Sequence, residues 1–531
     1  MPHRERIRWT PPVSLSTEEE RICSRCKRNG RLYAFLRRHR AELFDESFQG
    51  DLAELYVDRP EGRPPVPPAL LAMVTVLQAA DGVSDEGAVN EAIFDSRWQM
   101  VLGCLGSDEA PFSQGVLVDF RRRLIAHGLH FRLIERSVEL AQSTGGFGYK
   151  QLRVALDSAP LWGAGRVEDT FNLIGHALHV VARCAAADVE RPIATVLKEA
   201  GATLLGHSSL KAALDIDWDD KEEQHRALQA LLHEVERIRC WIDQTLDDAQ
   251  RVQAPLAEAL AALERVIAQD LEPDPNGGDE TGARRITRGT AKDRQISIAD
   301  PSMRHGRKSR STTIKGFKRY IAKELDHGLI LGVHVMPANQ PEREATSPLR
   351  EQVESHGDVT ALYIDRGFLA SDWARETFDQ GNKLVCRPWR ARNGKMYSKS
   401  EFDIDLAKGR VRCPAGQSQA IRGHVVRFPA QACDPCDERA ACTRAREGRG
   451  RTISIHPQET MFQALGTAKA TPKGRAELRE RVPVEHSLAH ICNRQGRRAR
   501  YVGTDKNIFD LCRYAFIENC FAADRFERAA A

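Results

Sequence analysis

Three acidic residues occupy positions from which carboxylates can share divalent cations. Asp157 closes the apolar segment RVALD and Asp365 closes ALYID, and each precedes a turn-forming residue, Pro160 or Gly367. Two strands that end in carboxylates on one edge of a sheet can hold Mg²⁺, which takes hard oxygen ligands and keeps several of its waters. Glu485, in RVPVEHSLAH, is a third candidate. Pro483 starts a helix there, and the spacing of Glu485, Leu488 and Ile491 predicts one face packed against a sheet. A Glu in a first helical turn is also an ordinary partner of the helix dipole. Local pattern alone does not single these three out of 74 Asp and Glu.

A second cluster is made of thiols. Cys413, Cys433, Cys436 and Cys442 lie in C-P-x-G, C-x₂-C and C-x₅-C spacings. Four thiolates suffice for a closed tetrahedral zinc site. His424 is a substitute for the less regular Cys442, and unligated thiols in a loop-rich insertion are the competing reading. CSRC at 23–26 has no second pair and reads as thiols in a turn before a helix. Cys104, Cys184 and Cys240 fall on apolar helical patterns and read as core residues. An odd 13 cysteines, unevenly spread over 531 residues, argue against a disulfide framework.

The elements that must position these groups are legible in outline. The chain is 41% hydrophobic and 29% charged with a net charge of only +4, so the distribution of charge says more about partners than its total. No apolar run spans a membrane, and MPHRERIRWTPP has no signal-like apolar core, which predicts a cytoplasmic protein. Residues 1–60 form a basic segment and 61–145 a helical domain entered through RPPVPP. At Val154 and Leu156 the period changes to that of a strand ending at Asp157. Residues 146–180 then begin an α/β core, 181–272 form a helical insertion, and 273–292 an exposed linker. Strand patterns return over 293–385, in GLILGVHVMPAN, DVTALYIDRG and KLVCRPW. A cysteine-rich insertion covers 386–470, and 471–531 is helical. Trp373 and Trp389 offer rings on which an unpaired base could stack, with core packing as the alternative.

VALDSAPLWGAGRVEDT, YIDRGFLAS and RVPVEHSLAHICNRQGRRARYVGTDKNIFD resemble the three catalytic blocks of DDE-type bacterial insertion-sequence transposases. The match is to the subgroup with a helical N-terminal domain and a cysteine-bearing segment before the final block. The resemblance implies a ribonuclease-H-like mixed sheet with flanking helices and the triad Asp157, Asp365 and Glu485. It implies two Mg²⁺ or Mn²⁺ ions about 4 Å apart, with Asp157 bridging both and Asp365 and Glu485 each holding one. It further implies cleavage and joining of double-stranded DNA at the element's terminal repeats, a homodimer on DNA, and association with the nucleoid. Departures stand at Leu478 and Cys492, where related enzymes carry Tyr and Lys, with Arg494 the nearest basic residue, and at Phe368, where Tyr is commoner. Arg481 keeps its expected place.

Basic residues cluster near the blocks. Residues 304–323 carry eight Lys or Arg, and GRRARY follows Glu485 closely. Phosphate contacts are expected from Arg307, Lys308, Arg310, Lys315, Lys318, Arg481, Arg494, Arg497, Arg498, Arg500, Tyr501 and Lys506, against the alternative of a solvated surface. Two rival functions are a transposase-derived DNA-binding protein without catalysis and a ribonuclease-H-like nuclease without strand transfer.

Overall fold

The computed structural model describes residues 7–57, 64–275, 283–307 and 311–530. Lys308 and Arg310 lie outside the described residues. The chain is a mixed α/β structure built on a mixed sheet and surrounded by helices. Among the described residues no helix is long and apolar enough to cross a membrane.

Helices run from Thr17 to Gly145. Proline opens the Pro68–Asp81 helix, and Gly82, at φ 69°, closes it in the left-handed region that glycine enters without cost. That helix is buried nearly all round, so it is an interior element rather than a surface one. Its core is continuous with that of the sheet and of the C-terminal helix, Thr504–Ala530.

The main sheet has strands β1 (Gln151–Trp162), β2 (Arg304–Arg307), β3 (Thr313–Glu324), β4 (Ile330–Pro337), β5 (Asp358–Tyr363) and β6 (Lys383–Val385). β3 lies between β1 on one edge and β2 followed by β4 on the other, all antiparallel to it. β5 runs parallel to β1, and β6 parallel to β5. Strand β1 does not end at Asp157 but continues to Trp162, through Pro160. Trp162 donates its N–H to Arg497 O at 2.9 Å, on the side away from β3. Residue 160, two before it, turns its nitrogen to that same side, where β5 has already ended, so proline removes no ladder bond.

The basic run 304–323 is largely strand. Its hydrophobic alternation is masked by Lys and Arg, yet Arg319 is 1% exposed. Burial pulls its guanidinium below the usual range, but Gln495 and the carbonyls of Pro160 and Gly496 accept from its two terminal nitrogens. The expected linker also carries structure: Leu271–Pro273 pairs with Arg284–Ile286 across residues outside the described set.

Two smaller cores stand beside the main one. The helices between Thr170 and Asp270 bury Phe171, Leu178, Leu231 and Leu263 among themselves. Cys240 is exposed there rather than core, and Cys104 and Cys184 are half-buried. The cysteine-bearing segment folds three short strands and a two-stranded ladder around Phe402, Val411, Val426, Phe428, Ile453 and Ile455.

Candidate active site

Asp157 and Asp365 are brought together by register. The parallel ladder between β1 and β5 ends with Ala155 opposite Tyr363, and each aspartate lies two residues further along. Equal offsets from the last paired residues put the two positions level, Asp157 within β1 and Asp365 just past the end of β5. Ile364 still donates to Val385 O at 3.0 Å, so the chain stays against β6 up to Asp365. Phe368 N–H then bonds Asp365 O and turns it away.

Glu485 arrives on the Val482–Gln495 helix, with proline in its first turn. The buried stripe is Val484, Ser487, Leu488 and Ile491, so Glu485 stands beside that face rather than within it. Lys323 of β3 donates to Ser487 Oγ at 2.6 Å and Arg319 to Gln495, which holds the helix over the sheet.

Arg481 joins two of the acids. Its guanidinium donates to Asp157 Oδ1 at 3.2 Å, to Glu485 Oε1 at 2.7 Å and to Leu156 O at 2.9 Å. Asp157 is mostly enclosed, with a side chain 18% exposed, whereas Glu485 is 49% exposed. Burial pushes the Asp157 carboxyl up, the Arg481 charge opposes this, and Glu485 adds to the rise. Cys386 ties the third acid in. Its thiol is pushed up to about 12, first by burial and then by the Asp365 charge, against the opposing charges of Arg366 and Arg481. The exposed Asp365 and the Arg481 guanidinium therefore act on the same buried thiol.

Two family models match parts of the chain. Residues 19–123 match a family model described as a transposase domain, DUF772, and residues 412–520 one described as a transposase DDE domain. The two matches together support an insertion-sequence DDE transposase. The second match takes in Glu485, while Asp157 and Asp365 stand outside both matched segments. No curated protein and no solved structure matches the chain.

Several of the expected phosphate-binding side chains are engaged within the fold. Arg494 pairs with Glu518 at 2.5 Å and lies over Phe521. Arg498 donates to the carbonyls of Gly163 and Ala164, and Arg500 to Val83 O. Tyr501 sits against Arg121 and accepts from Arg513 at 3.3 Å. Lys318 is 13% exposed and stands 3.9 Å from Glu342. Arg307, Lys315, Arg497 and Lys506 are exposed. Lys315 and Arg497 flank the far end of β1, through backbone bonds from Gly163 to Lys315 O and from Trp162 to Arg497 O.

Trp373 is buried in the core. Trp389 is 44% exposed against His456 and Phe462, in a cleft next to the Asp365 loop. Cys413, Cys433, Cys436 and Cys442 line one cavity of about 30 Å³, and His424 lines the neighbouring cleft instead. Among the described residues, no group of three or more His, Cys, Asp or Glu is arranged to hold a metal ion.

Two contacts beside these acids have no signature in local sequence pattern. Arg481, expected at DNA, bonds two of the carboxylates. The second is Glu342, whose carboxylate bonds Ser158 and abuts Gly367. The only trace of Glu342 was the glycine in YIDRGF, a small residue where a side chain from elsewhere comes close.

Proposed function

We propose that this transposase cuts DNA at the ends of its own element and joins the freed ends to target DNA, with Asp157, Asp365 and Glu485 as its metal-binding acids. The observation that carries the reading is the Arg481 bridge between Asp157 and Glu485, with Asp365 in register beside Asp157. A positive charge already lies between two of the acids, and the donor set is all hard oxygen, which fits Mg²⁺ or Mn²⁺. Such ions, when bound, supply Lewis-acid activation of the attacking oxygen and stabilisation of the leaving one. The mixed sheet with carboxylates on adjacent parallel strands supports a ribonuclease-H-like core.

In the first step water attacks the scissile phosphorus, the P–O3′ bond breaks, and a 3′-hydroxyl is freed. In the second, that hydroxyl attacks a target phosphodiester and displaces its 3′ oxygen. Asp157, enclosed by the fold, is the fixed anchor of the site, and the exposed Asp365 and Glu485 face the DNA side. Lys315 and Arg497 stand at Trp162, five residues beyond Asp157, or about 17 Å along an extended strand. They would guide a duplex along the end of β1 without reading sequence. Two copies, each holding one element end, complete the reading.

The test is cleavage of a duplex carrying the element end, with Mg²⁺ or Mn²⁺. Asp157→Ala, Asp365→Ala and Glu485→Ala should each abolish it, and full cleavage by any of them overturns the assignment. Joining of a pre-cut 3′-hydroxyl end separates a transposase from a plain nuclease. Binding with no cleavage under any divalent metal favours a DNA-binding protein without catalysis.

The convergence of four thiols on one cavity supports structural zinc in the cysteine unit. Zinc at one equivalent per purified chain, with the four thiols protected from alkylation, is the expected result. Absence of zinc with all four reactive rejects it.

A further inference from the structure

Hydrogen bonding between β1 and β5 stops at Ala155 and Tyr363, before either aspartate is reached. The ladder therefore does not itself clamp Asp157 to Asp365. Glu342, in the turn Glu342–Ala345 after β4, touches both segments. Its Oε1 accepts from Ser158 Oγ at 2.8 Å, one residue past Asp157. Its other oxygen fills the space over Gly367, two residues past Asp365. A Cβ on Gly367 would overlap Oε2 and lie 2.8 Å from the carboxyl carbon. Gly367 is not among the glycines with positive φ, so a side chain there meets no backbone strain but requires the Glu342 carboxylate to move.

The surroundings fix Glu342 in place. Lys318 Nζ lies 3.9 Å from Oε1. Tyr320, the cross-strand partner of Ser158, packs edge-on against Phe368 with ring centroids 6.0 Å apart. Successive residues of a strand face opposite sides of the sheet, so Ser158 and Glu342 lie on the face away from the Asp157 carboxylate. Glu342 thus acts on the acids from behind, through the backbone of β1 and of the loop after β5.

We propose that Glu342 is a positioning residue that clamps the Asp157 strand to the Asp365 loop and so sets the spacing of the two carboxylates. This rests on the reading of Asp157 and Asp365 as a metal site. Groups that orient metal ligands from outside typically change metal affinity by about 10- to 100-fold when removed.

The experiment measures Mn²⁺ binding to the full chain by electron paramagnetic resonance, the Mn²⁺ concentration for half-maximal DNA cleavage, and thermal unfolding. Glu342→Ala and Gly367→Ala should each weaken Mn²⁺ binding by about tenfold or more, at an unfolding temperature close to that of the parent. Glu342→Gln, which still accepts from Ser158, should retain most of the affinity. The double variant Glu342→Ala/Gly367→Ala should bind no worse than Gly367→Ala, because its clash has gone. Parental Mn²⁺ affinity in Glu342→Ala, or additive losses in the double variant, overturns the clamp. Should Glu342→Ala fail to fold, Glu342→Asp, whose shorter side chain no longer reaches Ser158, decides in the same way. Asp157→Ala separates the two readings. Unchanged Mn²⁺ binding there overturns the metal site and the clamp together, whereas loss in Asp157→Ala with none in Glu342→Ala overturns the clamp alone.

Discussion

Arg481 holds Asp157 at 3.2 Å while its other nitrogen reaches Glu485 at 2.7 Å. One guanidinium thus spans two acids that lie more than three hundred positions apart in the chain. A divalent cation has to compete with that guanidinium for the same oxygens, and a hydrogen bond between charged groups contributes about 1.5–3 kcal/mol. Arg481→Ala is expected to tighten Mn²⁺ binding in the absence of DNA by about tenfold. Titration calorimetry checks this, and unchanged or weaker binding shows that Arg481 does not compete.

Lys315 and Arg497, on either side of the end of β1, should contact phosphates. Lys315→Ala and Arg497→Ala are each expected to weaken DNA binding equally for element-end and unrelated duplexes. Each should also flatten the slope of log K against log salt by about 0.9. Arg500→Ala, whose side chain is committed to Val83 O, should leave that slope alone. The check is fluorescence anisotropy across a salt series.

Arg513 welds the N-terminal helices to the final block. It is fully buried and donates to Thr75 O and Gln78 Oε1, each at 3.0 Å, and pairs with Asp510. Arg513→Ala leaves the buried Asp510 carboxylate without this partner, a change that costs about 3–5 kcal/mol. Urea unfolding should show the loss, with part of it recovered in Asp510→Asn/Arg513→Ala.

Asp85 makes the helical domain acid-sensitive. The hydrogen bonds from Arg121 above all, and the one from Gln78, hold its carboxyl down at about 2. The folded value lies below the unfolded one, so the stabilisation is fully present above about pH 4 and is lost as pH falls through 2. It is worth about 2 kcal/mol at neutral pH. Asp85→Asn should lower urea stability by about that amount at pH 7 and by little at pH 2. An equal loss at both pH values rules out the linkage.

Much of the fold is readable from local pattern, and the exceptions share a cause. Ile330–Pro337 and Asp358–Tyr363 alternate or run apolar and announce themselves as strands. Thr313–Glu324 does not, because Lys315, Lys318, Arg319 and Lys323 obscure its apolar residues. Inside the fold, Arg319 and Lys323 donate to Gln495 and Ser487 of the Glu485 helix and to Gly496 just after it. The same holds at RRARY, where Arg500 and Tyr501 look like a phosphate grip but turn inward to Val83, Arg121 and Arg513.

The amino-acid sequence by itself determined which residues end an apolar segment, which begin a helix and which thiols share a segment, because two-residue and 3.6-residue periods are local properties of a chain. Only the tertiary structure decided that Asp157 and Asp365 stand level, that Arg481 spans Asp157 and Glu485, and that Glu342 fills the space Gly367 leaves open. Strand register and the burial of charge are set by partners hundreds of residues away, and a buried polar group keeps its place only where such a partner meets it.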